Sequence, residues 1–219
     1  MKLFKVSIAL LALLFVVLGC GAEAETPQSA ASAQTPVQPE QMAAQAKPLE
    51  INVLKNSGNP VLEAIAASYS ASAFVEGEVA DIDIERILTA GAKAPSAKNA
   101  QPWHFTVVKN YETASGLLRA AKDGSAVIII SGKRDIVTDT MRYDCGLASA
   151  YMQLAAEALG YGARIYIEPV NEIERNQRGT LGIPDGYEVL GALLVAHTVD
   201  TVASATPRNS LSGHVNYAP

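Results

Sequence analysis

Residues 94–105 read APSAKNAQPWHF, and this stretch decides how the rest of the chain is interpreted. Pro95 and Pro102 bracket a polar turn, and Trp103, the single tryptophan, stands before an apolar run that predicts a strand over 104–108. Serine and asparagine side chains beside free backbone N–H groups suit a heteroaromatic ring that carries hydrogen-bond donors and acceptors. The alternative is a plain helix-to-strand connection in which Trp103 only packs.

Helices and strands alternate on both sides of this turn. The run over Ala126–Ile130 is continuously apolar, which is typical of a strand buried on both faces. This alternation predicts an α/β (α+β) sandwich, with helices covering both sides of one sheet and residues 205–219 forming an extended arm. Helices are predicted over Pro60–Ala67, from a cap at Asp81 to a stop at Pro95, over Tyr111–Ala121 and over Met141–Leu159, and further strands over Ala163–Ile167 and Glu188–Ala196.

Each predicted helix carries an apolar face that we expect to pack inward. Asn59 is expected to cap the first helix, and Gly160 to end the longest one. The expected inward residues are Val61, Leu62, Ile65 and Ala66 in the first helix, Ile84, Ile87, Leu88 and Gly91 in the second, and Leu147, Tyr151, Leu154, Ala155 and Ala158 in the longest.

Composition excludes several classes of function. The 219 residues are 49% apolar and 18% charged, which fits a globular protein and excludes a wholly disordered or fibrous chain. With a net charge of -5 and no cluster of basic residues, nucleic-acid binding is not expected. Two cysteines, Cys20 and Cys145, cannot form a disulfide framework, and three scattered histidines do not form a zinc site.

The first twenty residues predict an export signal. Two lysines precede the apolar run Ile8–Leu18, which at about eleven residues is too short to span a hydrocarbon core of roughly 30 Å. The run ends in VLGC (17–20), which resembles the bacterial lipobox, whose cysteine is lipid-modified and becomes the new N-terminus. Residues 1–19 are therefore predicted to be a cleaved lipoprotein signal and Cys20 the lipidation site. An ordinary signal peptide with an incidental cysteine, or a membrane-proximal helix, is the alternative.

The segment after the signal predicts a tether. Residues 20–48 are rich in Ala, Glu, Gln, Pro, Ser and Thr and contain no aromatic residue, so they cannot bury enough surface to offset chain entropy. The folded domain is predicted over residues 49–219. Together these features predict an exported protein that is anchored to a membrane by lipid, in the periplasm or at the cell surface.

The turn at 94–105 resembles the signature of the FMN-dependent nitroreductase family, a helix that leads into A-P-S-x-x-N-x-Q-P-W-x-F. Several other blocks resemble the family in the same order, so the chain is identified as a member of it. These blocks are NPVLEAI (59–65) and IERILTAG (84–91) for the first two helices, DCGLA (144–148) and AAEALGYG (155–162) for the long central helix and its glycine exit, and Pro207, Arg208 and Leu211 for the C-terminal arm.

This resemblance implies a mostly antiparallel central sheet flanked by helices, and a homodimer with two FMN sites at the subunit interface. It also implies hydride transfer from NAD(P)H through the flavin to a small nitroaromatic or quinone-like acceptor. Because the cofactor carries this chemistry, no catalytic acid or nucleophile is expected from the protein. The residues carried over by position are Pro95, Ser96, Ala97, Asn99 and Gln101 around the flavin, together with Ser70 and Arg208 from the phosphate-binding motifs.

The chain departs from the family where the FMN phosphate is expected. After its first helix the family has R-R-S-x-R, whereas Ser68 and Ser72 stand here in place of bases, with Ser70 retained. In the arm, Thr206 replaces the lysine of a K-x-R motif and only Arg208 remains. Each missing charge-assisted contact costs roughly 1.5–3 kcal/mol of phosphate binding. The sequence therefore predicts weak FMN binding.

Three classes of function stay open. The first is an active flavin oxidoreductase, whose electrons would come from a quinol or a redox partner because an exported protein meets little NAD(P)H. The second is a family fold that has exchanged FMN for another planar ligand without a phosphate. The third is an envelope protein that has lost the cofactor and acts as an interaction module.

Overall fold

The computed structural model describes residues 54–133, 140–204, 207–209 and 211–218. The predicted signal, the tether with Cys20, and Thr206 lie outside the described residues. The helices are α1 (Pro60–Ala67), α2 (Asp81–Ala92), α3 (Tyr111–Leu117), α4 (Met141–Ala158) and α5 (Val170–Glu172), which runs on into a π-helical turn, Ile173–Gln177. The strands are β1 (Phe74–Val75), β2 (Trp103–Val108), β3 (Ala126–Lys133), β4 (Gly162–Tyr166) and β5 (Tyr187–Thr198).

The five strands form one sheet in which every pairing is antiparallel. Its order is β1-β5-β3-β2, and β4 also pairs with β5. The long strand β5 therefore has β3 along one side, while the other side pairs first with β4, where Gly162 lies opposite Ala196, and then with β1, where Phe74 lies opposite Thr198. This confirms the predicted α+β class with a mostly antiparallel sheet.

The core lies on both faces of the sheet, as the continuous apolar run of β3 predicts. Val127 and Ile129 belong to one buried cluster, together with Leu117 of α3 and Ile173 of the π-helical turn. Alternate residues of the same strand, including Ile128, point to the opposite cluster, which contains residues of α2 and α4. Helices α2 and α4 therefore cover one face, and α3 with the π-helical turn covers the other.

Close packing of α2 on α4 depends on a glycine. A Cβ atom at Gly91 would lie 2.6 Å from Cγ of Met152, so only glycine permits this approach.

The predicted inward face of α2 is confirmed, because Ile84, Ile87 and Gly91 are buried. Its predicted cap is wrong, because the cap is Ala80 and no side chain bonds there.

Three further helix boundaries, at the start of α1 and at the ends of α3 and α4, bear on the predictions from the sequence. Asn59 caps α1 as predicted, since its side chain accepts hydrogen bonds from the N–H groups of Val61 and Leu62 at 3.0 and 3.3 Å. The prediction of α3 to residue 121 is wrong, because the helix ends at Leu117 and Leu118 adopts an extended conformation with φ of -133°. Gly160, with φ of 90°, follows the end of α4 as expected.

The inward face predicted for α4 is wrong except at Ala155, which packs against the core cluster that contains residues of α2 and α4. The sheet is covered instead by Met141, Cys145, Ala148, Met152 and Ala156, whose small or flexible side chains allow the helix to approach closely. Of the residues predicted to point inward, Leu147, Leu154 and Ala155 are only half-buried, and Tyr151 and Ala158 are exposed. The helix has apolar residues on two sides, and periodicity alone does not say which side meets the sheet.

Helix α1 shows the same discrepancy more strongly, because none of its residues is buried. Val61 is 66% exposed, and Leu62 and Ile65 of the predicted inward face are also exposed. Exposed Tyr143 and Tyr151 stand with Leu147, Leu154 and Ala158 along the outer side of α4, at spacings of three and four residues. We call these five residues of α4, with the three of α1, the outer stripe.

Candidate functional site

The turn between α2 and β2 holds a strained backbone. Lys98, Asn99 and Gln101 have φ values of 53°, 56° and 46°, in the left-handed region that residues other than glycine rarely adopt. Each such residue costs of order 1–3 kcal/mol and persists only where the surroundings enforce it. Strain of this kind is concentrated at ligand-binding sites, so the turn is the first candidate for a functional site.

Two side chains, those of Ser96 and Asp144, hold this turn by hydrogen bonds. The backbone N–H of Gln101 donates to Oγ of Ser96 at 3.0 Å, which closes the turn on itself. The N–H of Ala97 donates to Oδ1 of Asp144 at 3.2 Å, and the hydroxyl of Thr140 donates to Oδ2 of the same carboxylate at 3.2 Å. Asp144 is only 2% exposed, so a buried acid in the first turn of α4 fixes the turn above it.

The predicted flavin contacts lie together in this turn. Pro95, Asn99 and Gln101 are exposed, while Ser96 and Ala97 are half-buried. The side-chain amide of Gln101 donates to the carbonyl oxygen of Asn99 at 3.3 Å. The turn thus presents an asparagine amide and backbone at its surface. Trp103 is half-buried and packs against the core cluster that contains residues of α2 and α4.

The loop that follows α1, residues 68–73, is held by a different acid. Oδ2 of Asp200 accepts hydrogen bonds from the backbone N–H groups of Ser72 and Ala73 at 2.6 and 2.7 Å, and from the hydroxyl of Ser72 at 3.1 Å. The hydroxyl of Tyr69 donates to the carbonyl oxygen of Asp200 at 3.0 Å. The two backbone N–H groups hold the pKa of the Asp200 carboxyl below its usual range, because they stabilise its charged form.

A second carboxylate stands beside this loop. Oε1 of Glu157, near the end of α4, accepts from the side-chain amide of Gln153 at 2.8 Å. Burial raises the pKa of Glu157, and hydrogen bonds from Ser68 and Gln153 oppose that shift. Next to it lies a cavity of about 250 Å³, and no lysine or arginine among the residues that the structure describes lines it. Its polar lining residues are Tyr69, Glu157, Tyr161, Thr198 and Asp200.

One chain does not bring all the predicted site residues together. The turn at Pro95–Gln101 contacts Asp144 in the first turn of α4, whereas Gln153 donates from the other end of α4 to the carbonyl oxygen of Tyr69. Nine residues of helix separate Asp144 from Gln153, which is about 14 Å along the axis. Exposed Ser70 therefore lies at the far end from the turn, and Arg208 is exposed on the arm.

Asp144 and Asp200 are the residues that sequence reasoning missed as parts of the candidate site. Asp144 carried one signal, an acid on a helix side otherwise made of small and apolar residues. Asp200 carried none, because its partners are more than 120 positions away in the sequence. Within the described ranges, no cluster of histidine, cysteine or acidic side chains is able to hold a metal ion. Over the same ranges, no helix is both long and apolar enough to cross a membrane.

Comparison with known proteins agrees with the fold. Residues 65–131 match the model of the nitroreductase family. A protein of Archaeoglobus fulgidus, assigned the name NADH dehydrogenase/NAD(P)H nitroreductase, is 32% identical over 149 residues, which cover 64% of this chain and 86% of that protein.

Two solved structures give the same result. A nitroreductase of Desulfitobacterium hafniense with bound FMN is 25% identical, has a TM-score of 0.61, and is matched over 74% of this chain and 99% of that one. The structure assigned as a nitroreductase in complex with FMN from Desulfovibrio desulfuricans is 26% identical with a TM-score of 0.63, over 74% and 99% of the two chains. The ordered sequence blocks, the antiparallel sandwich and these relatives together establish that the chain belongs to the nitroreductase family.

Proposed function

We propose that this protein is a flavin-dependent oxidoreductase that passes a hydride to small nitroaromatic or quinone-like acceptors. The observation that carries the proposal is the strained turn at Pro95–Gln101, which Asp144 and Ser96 fix in place. A bound flavin supplies the hydride chemistry. The chain itself supplies binding and orientation of the ring, through the backbone of Ala97 and the side chain of Asn99.

The two parts of FMN meet different conditions in this chain. The turn offers donors and acceptors of the kind that a flavin ring needs, so the ring fits. The phosphate does not fit the loop at 68–73, because serines stand at the basic positions and the loop's amides already bind Asp200. We therefore assign the ring to the turn, and the proposed function does not depend on a bound phosphate.

A homodimer would complete the site. The turn and the loop at 68–73 lie at opposite ends of α4, and a two-fold axis that packs two copies of α4 antiparallel would bring the turn of one chain beside the loop of the other. The outer stripe supports this arrangement, because six of its eight apolar or aromatic residues are exposed in one chain and the other two, Leu147 and Leu154, are half-buried. Light scattering at micromolar concentration should therefore give twice the mass of one chain, and a monomer would contradict the dimer.

The proposed activity is tested by reconstitution. The purified protein is mixed with riboflavin or FMN, and flavin absorbance is measured after gel filtration. NADH, NADPH or a quinol is then added with a quinone or a nitroaromatic acceptor, and reduction of the acceptor is followed. We expect the protein to retain flavin and to reduce an acceptor. A protein that retains neither flavin would contradict the proposal.

A second candidate function is a ligand-binding or interaction module of the cell envelope with weak or lost FMN binding. It is favoured by one observation, the acidic surroundings of the loop at 68–73, where Asp200 and Glu157 line the cavity and none of the described lysines or arginines does. The same reconstitution separates the two candidates. Retention of flavin without any reduction of an acceptor would favour the binding module.

We also propose that the protein is exported and held at a membrane by lipid on Cys20. The support is the order of a basic start, a short apolar run and the VLGC sequence, followed by a polar tether. Mass spectrometry of the wild-type protein should show acylation, and Cys20→Ser should lose the acyl mass and leave the membrane fraction. Cys145→Ser is the matched control and should remain acylated. An unacylated wild-type protein would refute the proposal.

A further inference from the structure

The loop at 68–73 is a small anion site that the chain fills with its own carboxylate. Two consecutive backbone N–H groups, those of Ser72 and Ala73, and the hydroxyl of Ser72 converge on a single oxygen of Asp200. Consecutive amides that point at one spot are a common way in which proteins bind phosphate and other anions. Here that position is taken by a residue of the segment that follows β5.

The residues around the loop offer few favourable contacts to a second anion such as a phosphate group. The carboxyl groups of Asp200 and Glu157 line the cavity beside the loop, and within the described part of the chain no lysine or arginine joins them. A phosphate group entering here would meet amides that are already bonded and would face the negative charge of Asp200. The hydroxyl of Ser72, which could donate to a ligand, is bonded to the same carboxylate.

We propose that Asp200 is a specificity residue that lowers the affinity of this site for flavins with a phosphate, relative to a flavin without one. The inference rests on the proposed function, because it takes the loop at 68–73 to be the end of the flavin site that faces the ribityl tail. In this account Asp200 substitutes for the phosphate. It satisfies the amides of the loop, and it repels a phosphorylated ligand by charge.

The test compares two ligands on four proteins. Riboflavin and FMN are titrated by quenching of flavin fluorescence against the full-chain wild type, Asp200→Asn, Asp200→Ser and Asp185→Asn. Asparagine keeps an oxygen acceptor for the loop amides while it removes the charge. Serine is a second variant with a small acceptor, in case asparagine impairs folding, which thermal melting checks. Asp185 is exposed and lies in a turn before β5, so Asp185→Asn is the control for loss of one charge.

We expect Asp200→Asn to bind FMN about tenfold more tightly than wild type, since one unit charge close to a phosphate is removed. Riboflavin affinity should change less than about twofold, and Asp185→Asn should behave as wild type. Inorganic phosphate should raise the melting temperature of Asp200→Asn and not that of wild type. If flavins bind but the ratio of FMN to riboflavin affinity is the same in all four proteins, the role of Asp200 is wrong. If no protein binds either flavin, the inference and the proposed function are both wrong.

Discussion

The turn at Pro95–Gln101 and the loop at 68–73 are each held by an aspartate that accepts backbone hydrogen bonds, but the two aspartates have opposite consequences for ligand binding. Asp144 accepts a hydrogen bond from one backbone N–H group of the turn, and Asp200 accepts hydrogen bonds from two backbone N–H groups of the loop. Asp144 lies beneath the turn, almost fully buried, and leaves the outer side of the turn open. Asp200 is only half-buried, and it occupies the amides that a ligand would use.

This difference between the two aspartates indicates how one member of a family can keep one part of a binding site and lose another part. A buried anchor preserves the geometry of a loop and leaves its surface free for a ligand. An anchor that occupies the binding groups themselves preserves the geometry but removes the affinity. In the function that we propose, the chain retains a place for the flavin ring, and at the other end of α4 Asp200 stands in for an external anion.

The largest effect should come from restoring the basic loop. In an Asp200→Asn background, Ser68→Arg with Ser72→Arg should raise FMN affinity about a hundredfold, because two charge-assisted contacts are worth roughly 3 kcal/mol together. Without Asp200→Asn the gain should be smaller, since the new guanidinium groups lie beside Asp200 and Glu157 and pair with them. Calorimetric titration with FMN measures both, and riboflavin is the control ligand. An equal gain for riboflavin would contradict the assignment of this loop to a phosphate.

The next effect concerns the anchor of the turn. Asp144→Ala leaves the N–H of Ala97 and the hydroxyl of Thr140 unpaired, which should lower the free energy of unfolding by about 1–3 kcal/mol. Flavin affinity should fall with it, because the left-handed residues lose their support. Denaturant unfolding and flavin titration measure the two losses. Asp144→Asn keeps an acceptor for Ala97 and should lose less of both; if it behaves like alanine, the hydrogen bond is not what holds the turn.

A smaller effect distinguishes the contribution of the Asn99 side chain from the contribution of its backbone conformation. Asn99→Gly removes the amide but accepts a positive φ freely, whereas Asn99→Ala also strains the backbone by roughly 1–2 kcal/mol. Both variants should weaken flavin binding about fivefold through loss of one hydrogen bond, and only alanine should also lower stability. Unchanged flavin binding by Asn99→Gly would favour the alternative, in which the turn is only a connection between a helix and a strand.

The sequence predicted the fold to a large extent, because its strongest patterns are local. The apolar run of β3, the cap at Asn59 and the glycine after α4 each follow from a few adjacent residues. The orientation of α4 and the exposure of α1 did not follow, because they depend on which of two apolar faces meets the sheet and on surfaces that one chain leaves uncovered.

The candidate site divides in the same way. The turn could be found because its residues are contiguous in sequence, from Pro95 to Gln101. The contact of Asp200 with Ser72 and Ala73 joins the loop after α1 to the end of β5, and it becomes apparent only when β1 and β5 are paired. The family resemblance showed that bases are missing at positions 68 and 72, but it did not indicate that Asp200 binds the amides of this loop.

The smallest effect is an expected absence of reaction. Burial, and next to it the charge of Asp144, raises the pKa of the Cys145 thiol to about 12, so the thiol stays protonated at neutral pH. We expect Cys145 in the folded protein to resist alkylation by iodoacetamide at pH 8, and to react once the protein is unfolded in guanidinium. Rapid labelling of the native protein would show that the base of α4, under the turn, is open to solvent.

The central claim is that the chain keeps the ring end of a flavin site and has lost the phosphate end. Titration of the wild-type protein with riboflavin and with FMN tests it most directly, since the two ligands differ only in the phosphate. We predict dissociation constants for the two that agree within about tenfold. FMN binding more than about a hundredfold tighter than riboflavin, worth roughly 2.8 kcal/mol, would contradict the account, because it would require other groups to hold the phosphate.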